Sequence, residues 1–138
     1  MSARFLLDTN VLSEPLKPAP DRHVLEQLSA HAGDVVTASV VWHELVFGVS
    51  LLPGGRRRRL AERYLENVVA ANIPVLSYDG PAAAWHGHER ARLKKLGRPP
   101  PFADGQIAAI AAVNGLTLVT SNTRDFAAFR ELRVTTWL

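Results

Sequence analysis

Short apolar runs alternate with segments of helical periodicity along the whole chain. Extended character is expected in five runs: residues 4–7, 35–37, 73–76, 116–120 and 133–136. Helical spacing of apolar positions is found in residues 21–31, 40–51, 56–71, 80–96 and from 102 or 103 to 113, with shorter helices expected after the first run and near 124–130. Ser39 is a good N-cap for the helix over 40–51. Strands that alternate with helices in this way predict an α/β fold with a parallel sheet and helices on both faces.

Acidic and amide side chains recur at the ends of these predicted elements. Asp8 directly follows the first strand, and Asn122 and Asp125 follow the fourth. Glu44 lies one turn inside a mostly apolar helix, and Asp104 is the only acid of an alanine-rich helix. Because parallel sheets bind ligands at the carboxyl ends of their strands, we expect these side chains to converge on one crevice.

Each of these side chains also has an ordinary structural explanation. Asp8 suits a helix N-cap, and Glu44 suits the solvent-facing edge of its helix. Asp104 suits the positive end of a helix dipole, and Asn122 suits an Asx-turn. The pattern alone leaves both interpretations open for each residue.

A cluster of carboxylates would favour a hard divalent cation. The chain has no cysteine, so any metal must have oxygen or imidazole ligands. Mg²⁺ and Mn²⁺ prefer oxygen, and carboxylates held close together repel each other unless a cation lies between them. Such a site can activate water and stabilise charge on a phosphoryl group. The residues therefore predict metal-dependent phosphoryl transfer or phosphodiester hydrolysis.

Size and composition fit one domain. The chain has 138 residues, of which 47% are hydrophobic, and this suffices for a proper core. No apolar run approaches the roughly 18 residues of a membrane helix, and the N-terminus leads into a strand, not a signal peptide. We therefore expect a cytoplasmic protein without a membrane partner. The net charge of +3 is compatible with a polyanionic partner without requiring one.

Four segments together resemble PIN-domain ribonucleases and, within them, the toxin subunits of VapBC-type toxin–antitoxin pairs, including the FitB-like branch. The segments are Leu6-Leu7-Asp8-Thr9-Asn10, Glu44-Leu45 with Gly48, Asp104-Gly105-Gln106-Ile107-Ala108-Ala109-Ile110-Ala111, and Leu118-Val119-Thr120-Ser121-Asn122-Thr123-Arg124-Asp125-Phe126. They occur in the order and spacing of the family and cover nearly the whole chain.

This resemblance implies a three-layer α/β/α sandwich with a central parallel sheet, formed by a single PIN domain over residues 1–138. It also implies an endoribonuclease that uses Mg²⁺ or Mn²⁺ and acts as a toxin. The implied partners are an RNA substrate and a small inhibitory antitoxin, in a homodimer or a hetero-oligomer with that antitoxin. Contact with operator DNA is expected only through the antitoxin.

The resemblance also assigns roles to individual side chains. Asp8, Glu44 and Asp104 match acidic positions of the family: Asp8 and Asp104 are the leading metal ligands, and Glu44 binds metal or orients water. Many members have Asp where this chain has Asn122. Asn122 and Asp125 are therefore assigned supporting roles, and Thr9 and Asn10 are assigned supporting roles beside Asp8.

Basic residues and histidines also occur outside the acidic cluster. The predicted RNA contacts lie beside the proline loop that leads to the last long helix: Arg92, Lys94, Lys95 and Arg98. The arginines at 56–59 are expected to contact RNA or to form a solvated helix face. His86 and His88 are two residues apart on a helix, so they cannot form an i, i+4 zinc pair, and we expect them to be exposed or in polar contacts.

Two alternatives remain. An aspartyl phosphatase generally needs a second Asp two residues after the first, where this chain has Asn10, and no suitably placed lysine follows a later strand. A PIN-fold module that binds RNA or a partner without catalysis is the stronger alternative, because Asn122 lacks a charge.

Overall fold

Five parallel strands form the central sheet, in the order β3-β2-β1-β4-β5. This computed structural model describes residues 3–138. The strands are β1 (Phe5–Leu7), β2 (Val35–Ala38), β3 (Val75–Leu76), β4 (Thr117–Val119) and β5 (Arg133–Thr135). The chain adds β2 and β3 on one side of β1 and then crosses to the other side for β4 and β5. The strand order therefore reverses between β1 and β4, and a crevice for ligands opens at such a point.

Within residues 3–138, seven α-helices flank this sheet, which confirms the predicted α/β/α sandwich with a central parallel sheet. They are α1 (Thr9–Leu12), α2 (Arg22–Ala30), α3 (Ser39–Ser50), α4 (Arg56–Tyr64), α5 (Gly80–Lys95), α6 (Phe102–Val113) and α7 (Thr123–Phe126). A 3₁₀ helix (Glu14–Leu16) follows α1, and a π-helical segment (Leu65–Ala70) continues α4. Among residues 3–138, none of the helices has the length and apolar character that crossing a membrane would require.

Many of the fully buried side chains of the core lie on β1, β4 and α6. Leu6, Leu7 and Leu118 are fully buried, as are the small side chains of Ala108 and Ala109 in α6. Alanines on this helix let its backbone approach its neighbours closely, and burial of the surrounding apolar surface stabilises the arrangement. The position of α6 fixes where its first turn lies, and that turn carries Asp104.

Several element boundaries differ from the prediction. Ser39 is not the N-cap of α3; β2 runs directly into the helix, Ala38 is at the cap position, and no side chain caps the helix. The helix expected over 56–71 is α-helical only to Tyr64 and then widens into π turns. The third strand is reduced to Val75–Leu76, since it is an edge strand paired only with β2.

Candidate active site

Asp8 is fixed at the carboxyl end of β1. Its backbone N–H donates to the carbonyl of Val119 in β4 (2.9 Å), and its side chain is only 6% exposed. One carboxylate oxygen accepts from the backbone N–H of Thr9 (2.8 Å), which caps α1. The other accepts from the Thr120 hydroxyl (2.7 Å) and, more weakly, from the Asn10 amide (3.3 Å). The predicted cap and the predicted site residue are therefore the same carboxylate.

Burial raises the pKa of Asp8. The hydrogen bonds, of which that from Thr120 is the strongest influence, act in the opposite direction, and the nearby charge of Asp125 adds to the rise. Among residues 3–138, no basic side chain forms an ion pair with this carboxylate.

Glu44 is exposed on α3, yet it is tied to the same site. The Thr9 hydroxyl donates to Glu44 Oε1 (2.8 Å), which joins the start of α1 to the first half of α3. Glu44 therefore faces water, as expected for the solvent-facing edge of its helix. It is also linked to Asp8, because Thr9 donates hydrogen bonds to both carboxylates.

A polar network links the ends of β1 and β4. The Asn10 side-chain oxygen accepts from the backbone N–H of Ser121 (2.9 Å), and the Thr120 hydroxyl oxygen accepts from the N–H of Asn122 (3.0 Å). Asn122 is exposed at the N-cap position of α7, but its side chain does not make the expected capping bond. Thr120 was not singled out by sequence reasoning, although a polar residue closing an apolar strand was the available signal.

Asp104 lies in the first turn of α6 and is partly buried. Burial is the main cause that raises its pKa to about 6, followed by the negative charges of Asp8, Asp125 and Glu44. The crevice thus places four carboxylates in one electrostatic field. Across residues 3–138, no lysine or arginine forms an ion pair with any of the four.

The chemistry of this donor set fits Mg²⁺ or Mn²⁺. All donors are oxygen atoms, which these cations prefer. Within the described part of the chain, no lysine or arginine forms an ion pair with the four carboxylates. The side chains do not form a ready coordination sphere, since residues 3–138 contain no group of three or more His, Asp or Glu placed to hold an ion.

The predicted basic RNA contacts divide into two groups. Arg92 is held by the fold: its guanidinium donates twice to Glu89 (2.8 Å each) and once to the carbonyl of Ala128 (2.8 Å). The remaining three are exposed at the end of α5 and in the loop that follows: Lys94, Lys95 and Arg98. The spacing of Glu89 and Arg92, three residues apart on a helix, was the missed signal.

An apolar cavity of about 630 Å³ opens beside Glu44 and Thr9. Its apolar walls come from α3, α4 and the turn between them: Leu45, Val49, Leu52, Leu60 and Ala61. Arg56 and Arg57, at the start of α4, also line it, as do three residues that follow α1: Ser13, Pro15 and Leu16. The arginine run therefore begins next to the acidic crevice, which its position in the sequence did not reveal.

The two histidines of α5 differ in environment. His88 is exposed, as expected, whereas His86 is only 2% exposed and faces α6. The expectation of a polar contact holds for His86, because its Nδ1 lies 2.8 Å from the Tyr78 hydroxyl. His86 is buried because α5 packs against α6 at this point, so the polar contact is the alternative that holds for it.

The acidic residues therefore lie at the point where the strand order of the parallel sheet reverses, which is where such sheets bind ligands. The model of the PIN domain matches residues 5–132. The chain therefore belongs to the PIN-domain family.

Individual proteins similar to this chain indicate which branch of the family it resembles. Toxin FitB of Neisseria gonorrhoeae is 37% identical over 127 residues, which cover 90% of this chain and 91% of FitB. The tRNA(fMet)-specific endonuclease VapC of Shigella flexneri is 35% identical over 136 residues, covering 97% and 98%. A DNA-bound VapBC structure from Salmonella typhimurium superimposes with a TM-score of 0.86 at 29% identity, over 99% of both chains. The resemblance to VapC- and FitB-type toxins is thereby confirmed.

Proposed function

We propose that this chain is a metal-dependent endoribonuclease and the toxin of a type II toxin–antitoxin pair. The observation that carries the proposal is the group of four carboxylates, with which no lysine or arginine among residues 3–138 forms an ion pair. Burial, followed by the negative charges of Asp8, Asp125 and Glu44, raises the pKa of Asp104 to about 6. Similarity over nearly the whole chain to proteins named as toxins and ribonucleases supports it. The chain works as a single PIN domain over residues 1–138.

Asp8 and Asp104 would hold Mg²⁺ or Mn²⁺, and Glu44 would complete the site or orient water. When bound, the ion activates water and offsets charge on the phosphoryl group during hydrolysis of RNA. Thr120 and the N–H of Thr9 fix both oxygens of Asp8, while the Thr9 hydroxyl holds Glu44. These donors keep the carboxylates oriented before substrate arrives, which reduces the reorganisation needed in the transition state.

Four further residues act in support. Thr9 and Asn10 orient the acids through the hydrogen bonds described above. Asp125 contributes negative potential at Asp8 and Asp104, and Asn122 offers a neutral oxygen at the same edge. We assign RNA contact to the exposed cations Lys94, Lys95 and Arg98, because phosphate binding needs free guanidinium or ammonium groups.

The proposed function also implies partners for the protein. Solved structures described as FitAB and VapBC bound to DNA support a cognate antitoxin that connects the toxin to operator DNA. The apolar cavity beside Glu44 suits an apolar segment of that antitoxin, and either a homodimer or a hetero-oligomer would present it. RNA as the substrate implies that the protein acts in the cytoplasm.

A catalytically silent binding module is the second candidate. Asn122 replaces an acid that many family members have, and the described side chains do not form a ready coordination sphere. In that case RNA or a partner would bind at the same edge without cleavage.

Cleavage of a total-RNA pool separates the two candidates. Purified protein, freed of antitoxin, is incubated with Mg²⁺, with Mn²⁺ and with EDTA, and compared with Asp8→Asn. The proposal expects cleavage that EDTA stops and that Asp8→Asn lacks. A folded protein that binds RNA but cleaves none of it with either metal would establish the silent module.

A further inference from the structure

His86 occupies the space that a side chain at Gly105 would fill. A Cβ atom at Gly105 would overlap the imidazole, with Nε2 as the nearest atom, Cδ2 at 2.6 Å and Cε1 at 3.1 Å. Gly105 directly follows Asp104 in α6, and His86 belongs to α5. The two helices therefore meet where the His86 ring packs against the backbone of Gly105, one residue after Asp104.

The ring is held on its other sides as well. The Tyr78 hydroxyl lies 2.8 Å from His86 Nδ1, and the Tyr78 ring packs against it edge to face. The Phe102 ring centroid is 4.8 Å from that of the imidazole. Phe102 and Gly105 are three residues apart and share one face of α6, on either side of Asp104 in the sequence. His86 thus touches the first turn of α6 at two points that bracket Asp104.

Stability alone does not account for an imidazole here. His86 Nε2 is buried without a hydrogen-bond partner among the described residues, and a buried polar atom in that state lowers stability. Burial, followed by the positive charge of Arg90, lowers the pKa of His86, which favours the uncharged form of the ring. What the ring contributes is its shape and its contact with Tyr78.

We propose that His86 is a positioning residue of the acidic crevice: its ring, packed on Gly105 and held by Tyr78, fixes the first turn of α6 and so the direction in which Asp104 points. This inference rests on the proposed function for the role of Asp104. The contact itself is a property of the fold and can be tested without metal or RNA.

Two substitutions perturb the contact from opposite sides. His86→Ala removes the ring, and Gly105→Ala drives a methyl group into it. In the double variant, the methyl group occupies part of the space that the ring has vacated. Matched controls lie on the same helix: His88→Ala removes an exposed imidazole, and Gly87→Ala adds a methyl group where nothing lies within 4 Å.

Amide hydrogen exchange of the metal-free protein reports the local effect. Both single variants should exchange at least about tenfold faster at Gly105, Gln106 and Ile107, while the C-terminal half of α6 stays close to wild type. The exchange rates of the double variant should return to within about threefold of wild type. Both controls should exchange at the wild-type rate. Tyr78→Phe should show a smaller change at the same amides.

Cleavage kinetics supply the functional measurement. In the single variants kcat for RNA should fall at least about tenfold with little change in KM, because the RNA contacts lie elsewhere. The double variant should recover most of the loss, which a merely additive effect on stability would not produce.

The inference is overturned if exchange rises uniformly along α6, if both single variants match wild type, or if the double variant is worse than either. If Gly105→Ala does not fold, a double variant that folds supports the contact and one that does not fold refutes it. If wild-type protein never cleaves RNA, the proposed function fails, whereas the exchange result still decides the role of His86.

Discussion

Replacing Asp104 by asparagine should stabilise the metal-free protein at neutral pH while disabling the site. In the folded chain the pKa of Asp104 is about 6 instead of 3.8, mainly because of burial and then because of Asp8, Asp125 and Glu44. The folded state therefore binds this proton more tightly than the unfolded state. Ionising Asp104 costs the folded protein free energy, and a neutral amide of similar shape removes that cost.

The magnitude follows from the shift in pKa. At about 1.4 kcal/mol for each tenfold change in proton affinity, a pKa of about 6 in place of 3.8 corresponds to at most about 3 kcal/mol above pH 6. Asp104 is only partly buried, so solvent screens part of this repulsion. Asparagine also loses the favourable interaction with the helix dipole, worth about 0.3–1 kcal/mol. We expect a net stabilisation of about 1–2 kcal/mol.

The raised pKa of Asp104 also determines how the stability difference between Asp104→Asn and wild type changes with pH. A raised carboxyl pKa destabilises the folded state fully above pH 6, and the cost fades as the pH falls towards 3.8. The difference between Asp104→Asn and wild type should therefore be largest at pH 7–8, shrink between pH 6 and 4, and reverse or vanish below pH 4.

Urea unfolding in EDTA, followed by tryptophan fluorescence, measures the difference; Trp137 is buried and reports on the core. Glu66→Gln, at an exposed position of the π-helical segment, is the control and should stay within about 0.5 kcal/mol of wild type. Adding Mn²⁺ should stabilise wild type and leave Asp104→Asn unchanged. An Asp104→Asn protein that is less stable than wild type at pH 8 in EDTA would refute the electrostatic reasoning.

Three further perturbations test other parts of the site. Asp8→Asn should lower the rate of RNA cleavage more than about 100-fold while circular dichroism stays native, because Asn can still cap α1; cleavage near the wild-type rate by folded protein would remove Asp8 from the mechanism. Thr120→Val should weaken Mn²⁺ binding about 10- to 100-fold by calorimetry, since Asp8 loses its 2.7 Å donor, whereas Thr120→Ser should bind nearly as wild type; equal affinity of both variants would count against the donor. Arg92→Ala should lower Tm far more than Lys94→Ala, because Glu89 is left buried without its partner, and similar shifts for the two would show that the pair is unimportant.

The sequence was most informative where local pattern and topology coincide. Asp8 and Asp104 were predicted as site residues because one follows an apolar strand and the other lies at the start of an alanine-rich helix, and a parallel sheet brings such ends together. The helical spacing of the apolar residues around Glu44 predicted its position on a helix, and it lies on α3. The roles of these residues remain predictions, since they depend on chemistry at the crevice.

What the sequence could not supply depends on contacts between distant elements. Thr120 is a donor to Asp8 across 112 positions of the chain. The burial of His86 requires that α5 and α6 pack together with a glycine at the contact, and spacing within α5 alone carries no sign of it. Arg92 differs: its partner lies one helical turn away, so local spacing was sufficient to identify the pair.

The most direct test of the account locates the metal itself. Crystals of the active protein soaked in Mn²⁺ are measured at a wavelength where manganese scatters anomalously. We expect an anomalous peak about 2.1 Å from carboxylate oxygens of both Asp8 and Asp104, as for a small hard cation. Protein that cleaves RNA with Mn²⁺ in solution, but whose crystals show the peak elsewhere or show none, would contradict the proposed site.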